Sequence, residues 1–157
     1  MKDIILLPTY NERENVKIII PEIFLIIPDV HILVIDDNSP DKTAQAVKEL
    51  MSRFPNLSIL ERQNKTGLGN AYKDAINKLV QDEEIRSIIT MDADGSHSPK
   101  YLQSFLTNMS DYDLIIGSRY VSEGGIEDWD IWRRNLSKFG NLYAKALTGL
   151  KINDFTA

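Results

Sequence analysis

Residues 87–97 read Ser87-Ile88-Ile89-Thr90-Met91-Asp92-Ala93-Asp94-Gly95-Ser96-His97. The first five are mostly apolar and rich in β-branched side chains, which predicts a buried strand. That strand runs directly into two aspartates one residue apart. Side chains so spaced reach a common point in the loop. Two hard carboxylate oxygens there select Mg²⁺ or Mn²⁺, which keep coordination positions open for phosphate oxygens. A helix cap beside a solvated turn acid is the plainer reading of the same residues.

Working outward, the pattern repeats. Ile4–Leu7, Val30–Ile35, Leu57–Leu60 and Asp113–Gly117 are further short apolar runs and read as strands. Between them lie helical patterns. Val16, Ile19, Ile20, Ile23, Phe24 and Ile27 recur at helical spacing, with Pro21 predicted to kink or restart the helix. Ser39-Pro40-Asp41 signals a helix start ahead of Ala44, Val47, Leu50 and Met51. Gly67 and Gly69 open a helix carrying Ala71, Ala75, Ile76, Leu79 and Val80. Pro99 opens another, with Leu102, Phe105, Leu106 and Met109 inward. Strand and helix alternate, so the expected fold is α/β: a mostly parallel sheet with helices on both faces, in a single domain over 1–157.

In such sheets ligands bind beyond the carboxyl ends of the strands. Those ends carry Asn11 and Glu12, Asp36 and Asp37, Asp92 and Asp94, and Ser118 and Arg119. Five carboxylates at one edge repel one another and invite a cation. Each also has a structural reading, Asn11 and Asp41 as helix caps among them.

Composition bounds the function. The 157 residues carry 18 Lys plus Arg against 23 Asp plus Glu, a net charge of −5, which argues against a general nucleic-acid coat. With no cysteine there is no disulfide, thiolate metal site or Cys nucleophile. The N-terminus shows no secretory signal. Val16–Ile35 is too interrupted to cross a membrane, by Lys17, Pro21, Glu22, Pro28, Asp29 and His31. A soluble chain, peripheral to a membrane at most, is expected.

Other stretches are weaker signals. Tyr10, in Pro8-Thr9-Tyr10-Asn11-Glu12, is placed to stack on a base, with Glu12 at its polar edge. Asp36-Asp37-Asn38-Ser39-Pro40 offers a carboxylate to a base or ribose, or else a turn. Lys65-Thr66-Gly67-Leu68-Gly69-Asn70 is Gly-rich but lacks the Lys-Ser/Thr of a Walker loop, so a tight helix start is the simpler reading. Trp129–Leu150 is amphipathic, with Arg133 and Arg134 beside Trp129 and Trp132. Core packing is its ordinary explanation, and a basic-aromatic rim at a membrane surface the sharper one.

Taken in order, these pieces resemble the family 2 glycosyltransferases with the GT-A fold, and within them the dolichol-phosphate mannosyltransferase group. The matching stretches are Pro8–Glu12, Val34–Asp41, Gly67-Leu68-Gly69, Met91–His97, Gly117-Ser118-Arg119-Tyr120 and Arg133–Ser137. The resemblance implies that Pro8, Tyr10, Glu12, Val34 and Asp36 hold the nucleotide. It implies that Asp92 and Asp94 meet a Mg²⁺ or Mn²⁺ ion and the diphosphate, with Ala93 lining the nucleotide site. Arg119 and Arg133 would bind the acceptor phosphate or the departing diphosphate, and Arg134 stands where it could replace Arg133. Ser96 occupies a position where relatives often carry a further metal-loop ligand. Relatives continue past Ala157, so a chain truncated at its C-terminal end is expected.

The implied reaction moves a sugar, mannose from GDP-mannose in the first reading and a UDP-sugar in the alternative, onto a polyprenyl phosphate at the cytoplasmic face of the membrane. An anionic acceptor needs placement rather than a general base, which Arg supplies bidentately. Two other classes fit the residues less well. A Mg²⁺-dependent aspartyl phosphatase would want its paired aspartates on the first strand. A phosphoacceptor receiver module would want its acidic pair there too, and a Lys closing the fifth.

Overall fold

The computed structural model of the chain describes residues 1–65, 67–121, 130–150 and 152–155, apart from the Arg133 side chain. These fall into two compact units, Met1–Asn108 and Met109–Ala157.

The first unit holds β1 (Lys2–Thr9), α1 (Arg13–Ile26), β2 (His31–Asp36), α2 (Thr43–Met51), β3 (Leu57–Glu61), α3 (Leu68–Leu79), β4 (Ile85–Thr90), a 3₁₀ turn (Pro99–Tyr101) and α4 (Leu102–Asn108). The four strands form one parallel sheet in the order β3-β2-β1-β4. Right-handed crossovers explain the layering. The steps β1–α1–β2 and β2–α2–β3 run in one direction and put α1 and α2 together on one face. The step β3–α3–β4 runs back across the sheet and puts α3 on the other.

Strand parity sorts the core accordingly. Ile4, Leu6 and Ile35 pack with Ala71 and Ala75 of α3, flanked by Leu33, Leu60, Tyr72, Ile76 and Ile88. Ile5, Leu7, Ile32 and Val34 have the opposite parity and are completely buried, as are Val16, Ile20 and Ile23 of α1 and Val47 of α2. Each such side chain contributes about 1.5–3 kcal/mol. The small residues of α3 let that helix approach the sheet closely.

Pro21 lies inside α1, which continues through it rather than restarting; Lys17, whose carbonyl loses its donor, is on the exposed face. Local details depart from expectation in two places. α2 starts at Thr43, because Asp41 accepts both the backbone N–H and the hydroxyl of Thr43; Ala46 takes the buried place expected for Met51. Residues 113–117 form no strand: among the described residues no neighbouring strand pairs with them, and Leu114 and Ile116 are exposed.

The second unit contains α5 (Ile131–Thr148). Core packing is not the fate of its apolar stripe. Ile131, Trp132, Leu136, Phe139, Leu142, Tyr143 and Leu147 are all exposed. Trp129 lies outside the described residues.

Candidate active site

The strand exits of the first unit are built as extensions of the sheet. The Asp37 N–H donates to the Thr9 carbonyl at 3.1 Å, Arg62 N–H to the Asp36 carbonyl at 2.8 Å, and Met91 N–H to the Leu6 carbonyl at 3.1 Å. The chain therefore leaves β2, β3 and β4 in register. Asn11 (φ +63°), Asn38 (φ +57°) and Lys42 (φ +69°) adopt the left-handed region and stand in the loops after β1 and β2. Asparagine tolerates that region better than most residues, and such conformations gather at functional sites. The Asn38 side chain donates to the Gln63 carbonyl at 3.1 Å, which holds its turn.

The register Thr9↔Asp36 brings the Thr9 hydroxyl to the Asp36 carboxylate, where it donates at 2.9 Å. The backbone N–H and hydroxyl of Ser39 donate to the same carboxylate at 2.9 and 2.6 Å. Asp36 is 1% exposed. It is an internal acceptor with three donors, so it organises the loop rather than offering a carboxylate to a ligand. Asp37 differs. Arg62 pairs with one of its oxygens and donates from Nε to Asp74 of α3 at 3.0 Å. Among the described residues nothing bonds its other oxygen.

The α1 N-terminus has no cap of its own. The loop after β2 supplies one across the sheet: Ser39 accepts from Asn11 N–H, Thr43 from Glu12 N–H and Asp41 from Arg13 N–H, each at 3.0 Å. Beside it opens a cleft of about 300 Å³ lined by Asn11, Glu12, Arg13, Glu14, Asn15 and Asp41. The expected crowding of like charges is thus relieved without a cation at Asp36, Asp37 and Asp41, because each has donors of its own.

Of the other nucleotide-site candidates, Tyr10 is partly exposed, with the Lys65 ammonium 3.5 Å from its ring centroid, a cation–π contact. Glu12 is half-buried and accepts from Asn15 at 2.5 Å. Pro8 is half-buried within β1. Val34 is completely buried in β2 and Ala93 is nearly so. The Val34 side chain offers a ligand no surface, since the ladder opposite Leu7 of β1 and Ile59 of β3 places it in the sheet's core.

Asp92 and Asp94 leave β4 as expected. The Asp94 carboxylate accepts from Ser96 N–H at 2.9 Å, and the Ser96 side chain and N–H hold its pKa below the usual carboxylate value. It therefore stays ionised at neutral pH. No hydrogen bond from a described residue reaches the Asp92 carboxylate; its N–H donates to Nδ1 of His97 at 3.1 Å. Among the described residues no third His, Cys, Asp or Glu joins them. An Asp92 carboxylate that accepts from no described residue, an Asp94 carboxylate that accepts from Ser96, and no closed cage suit Mg²⁺ or Mn²⁺, which fill remaining positions with substrate phosphates and water. Burial, then the Asp92 charge, pushes the Tyr72 phenol of α3 up to about 12, so it is no base near neutrality.

The second unit carries Arg119, Arg133 and Asp154, which no sequence motif marks. Arg119 is bound by Asp154, Nε to Oδ2 at 2.7 Å and Nη2 to Oδ1 at 2.8 Å, with its own N–H at 3.3 Å. Asn141 of α5 donates to Asp154 at 3.4 Å and accepts from Phe155 N–H. The Arg133 side chain lies outside the described residues. Tyr120 bonds Ser137 at 2.8 Å.

The sequence profile of the family described as "Glycosyl transferase family 2" matches residues 4–156. Among curated proteins, the chain is 41% identical to the Polyprenol monophosphomannose synthase of Mycolicibacterium smegmatis, over 99% of this chain and 59% of that protein. It is 35% identical to the Undecaprenyl-phosphate mannosyltransferase of Micrococcus luteus, over 100% of this chain and 64% of that protein. The chain thus spans about three fifths of the length of these relatives. Among solved structures, the Mannosyltransferase PcManGT from Pyrobaculum calidifontis, in complex with GDP-Man and Mn²⁺, aligns with a TM-score of 0.51 at 22% identity, over 59% of this chain and 27% of that one. That likeness is one of fold.

Proposed function

This chain belongs to glycosyl transferase family 2, and on that premise we propose that it carries the donor-binding part of an inverting transferase. The reaction moves mannose from GDP-mannose to a polyprenyl phosphate. The observation that carries this reading is the pair Asp92 and Asp94 at the open end of the sheet. The Asp92 carboxylate accepts from no described residue and Asp94 accepts at one oxygen from Ser96, beside a β1–β2 edge whose loops are tied to each other. Two relatives matched along nearly the whole chain have names that place mannose on a polyprenyl phosphate. A UDP-sugar remains the alternative donor.

In this reading Tyr10 stacks on the base once Lys65 moves from its face. Asp37, with an oxygen to spare, and Glu12 take polar edges of the nucleoside. Asp36 holds the Ser39 turn, and with it the cap on α1. Asp92 and Asp94 would hold a Mg²⁺ or Mn²⁺ ion, which when bound stabilises charge on the departing diphosphate as a Lewis acid. The donor's C1–O bond breaks as a phosphate oxygen of the acceptor bonds C1 from the opposite side, giving inversion. That oxygen is already anionic, so no side chain need remove a proton. Arg133 and Arg119 place the acceptor phosphate.

No helix among the described residues is long and apolar enough to cross a membrane. The exposed apolar stripe of α5, with Arg134, Lys138 and Lys145 on the same helix, supports peripheral docking at the cytoplasmic face of a membrane.

A thermal-shift panel of GDP, GDP-mannose, UDP and UDP-glucose with Mn²⁺ or Mg²⁺ tests the donor. A ligand at 100 times its Kd stabilises by about 2.7 kcal/mol. GDP compounds should shift the melt only with metal, and Asp94→Asn should abolish the shift while leaving the unliganded melt nearly unchanged. A larger shift with UDP compounds selects the alternative donor, and no shift with any of the four rejects the site.

A further inference from the structure

Parallel strands direct successive N–H groups alternately to the two neighbouring strands. Met91 N–H meets Leu6 of β1, so Asp92 N–H faces the other edge of β4, where no strand pairs among the described residues. The acceptor found there is Nδ1 of His97, at 3.1 Å. The chain returns to reach it because Gly95 adopts φ +84° and Ser96 N–H closes a turn on Asp94. Pro99, two residues past His97, is buried at the start of the 3₁₀ turn. One imidazole thus closes a six-residue loop containing both candidate metal ligands. An Nδ1 that accepts carries its proton on Nε2.

We propose that His97 is a positioning residue: its Nδ1 lone pair fixes the backbone of Asp92 and thereby the separation of the Asp92 and Asp94 carboxylates before any cation arrives. The inference rests on the metal reading above and deepens it. It assigns His97 no bond to the ion. Groups one shell out from a metal typically change affinity by about 10–100-fold when lost.

Asparagine places Oδ1 where histidine has Nδ1, whereas glutamine places its amide near Nε2. His97→Ala, His97→Asn, His97→Gln and Asp94→Asn separate the possibilities, with GDP and Mn²⁺ as calorimetric probes and with amide exchange at Asp92 measured in metal-free protein. His97→Ala and His97→Gln should weaken Mn²⁺-dependent GDP binding about tenfold and speed exchange at Asp92. His97→Asn should restore both while the melting temperature stays close to that of the parent. Unchanged affinity in His97→Ala, with binding lost in Asp94→Asn, overturns the positioning role alone. Rescue by Gln rather than Asn overturns it too, since Nε2 would then be the working atom. Retained binding in Asp94→Asn means that the metal reading has failed, and the positioning role falls with it.

Discussion

Arg119 and Asp154 are joined by a two-pronged ion pair across 35 residues of sequence, with the Asp154 side chain 0% exposed and that of Arg119 a quarter exposed. The Arg119 backbone N–H and Asn141 add further donors to the same carboxylate. This pair ties the turn at Ser118–Tyr120 to the segment 152–155, which Asn141 in turn joins to α5.

Removing one partner of a buried pair strands the other charge, which typically costs about 3–5 kcal/mol. Arg119→Ala should therefore lower stability by about 3 kcal/mol, whatever it does to turnover. A double-mutant cycle with Asp154→Ala, measured by urea denaturation, should show strong coupling, the second change costing far less than the first. Additive losses would mean that the two side chains act separately.

Asp36 accepts three donors, and asparagine can accept at only one of its two terminal atoms. Asp36→Asn should destabilise the protein by about 2 kcal/mol, the loss of hydrogen bonds to a charged group. GDP binding should weaken with it, since Ser39 also caps α1. Thr9→Val removes only one donor and should show a smaller loss in the same denaturation experiment.

Arg133→Ala, made in a protein of the relatives' full length, should cut turnover with polyprenyl phosphate by about tenfold or more at sub-saturating acceptor, with donor binding retained. Such a loss corresponds to about 1.4 kcal/mol, within reach of one charged hydrogen bond. Arg133→Lys should rescue only in part, because it keeps the charge without the fork. Normal turnover in Arg133→Ala would place the acceptor elsewhere.

The bond from Arg86, then that from Ser87, holds the Asp3 pKa below its ordinary value. For a carboxylate depressed in the folded state, the contribution to stability is complete above the unfolded pKa. It is lost as pH falls from that value through the folded one. Stability should therefore drop below about pH 4, and Asp3→Asn should lose part of that dependence. Urea midpoints at pH 7 and pH 3 for the two proteins measure it.

The alternation of apolar runs and helical stripes was enough to read β1 to β4, α1 to α3 and the parallel sheet. Burial is periodic along each element, so each element announces its own inner face. The strand ends, and hence the edge carrying Asp92 and Asp94, followed from the same pattern. Residues 113–117 misled because an apolar run specifies a strand only where a partner supplies the ladder. The stripe of α5 likewise looked like core, since periodicity marks an apolar face without saying what meets it.

Which acids remain available to a ligand was decided by tertiary structure alone. Asp36 and Asp37 are adjacent in sequence and chemically identical, yet the register with β1 gives one of them Thr9 while the other meets Arg62. His97 found Asp92 through a backbone reversal at Gly95, and Arg119 found Asp154 across 35 residues. An apolar face depends on the residues and their local period, and so it is written in the chain, whereas what covers that face is not. A hydrogen bond depends on two atoms meeting within about 3 Å, and only the folded chain brings them there.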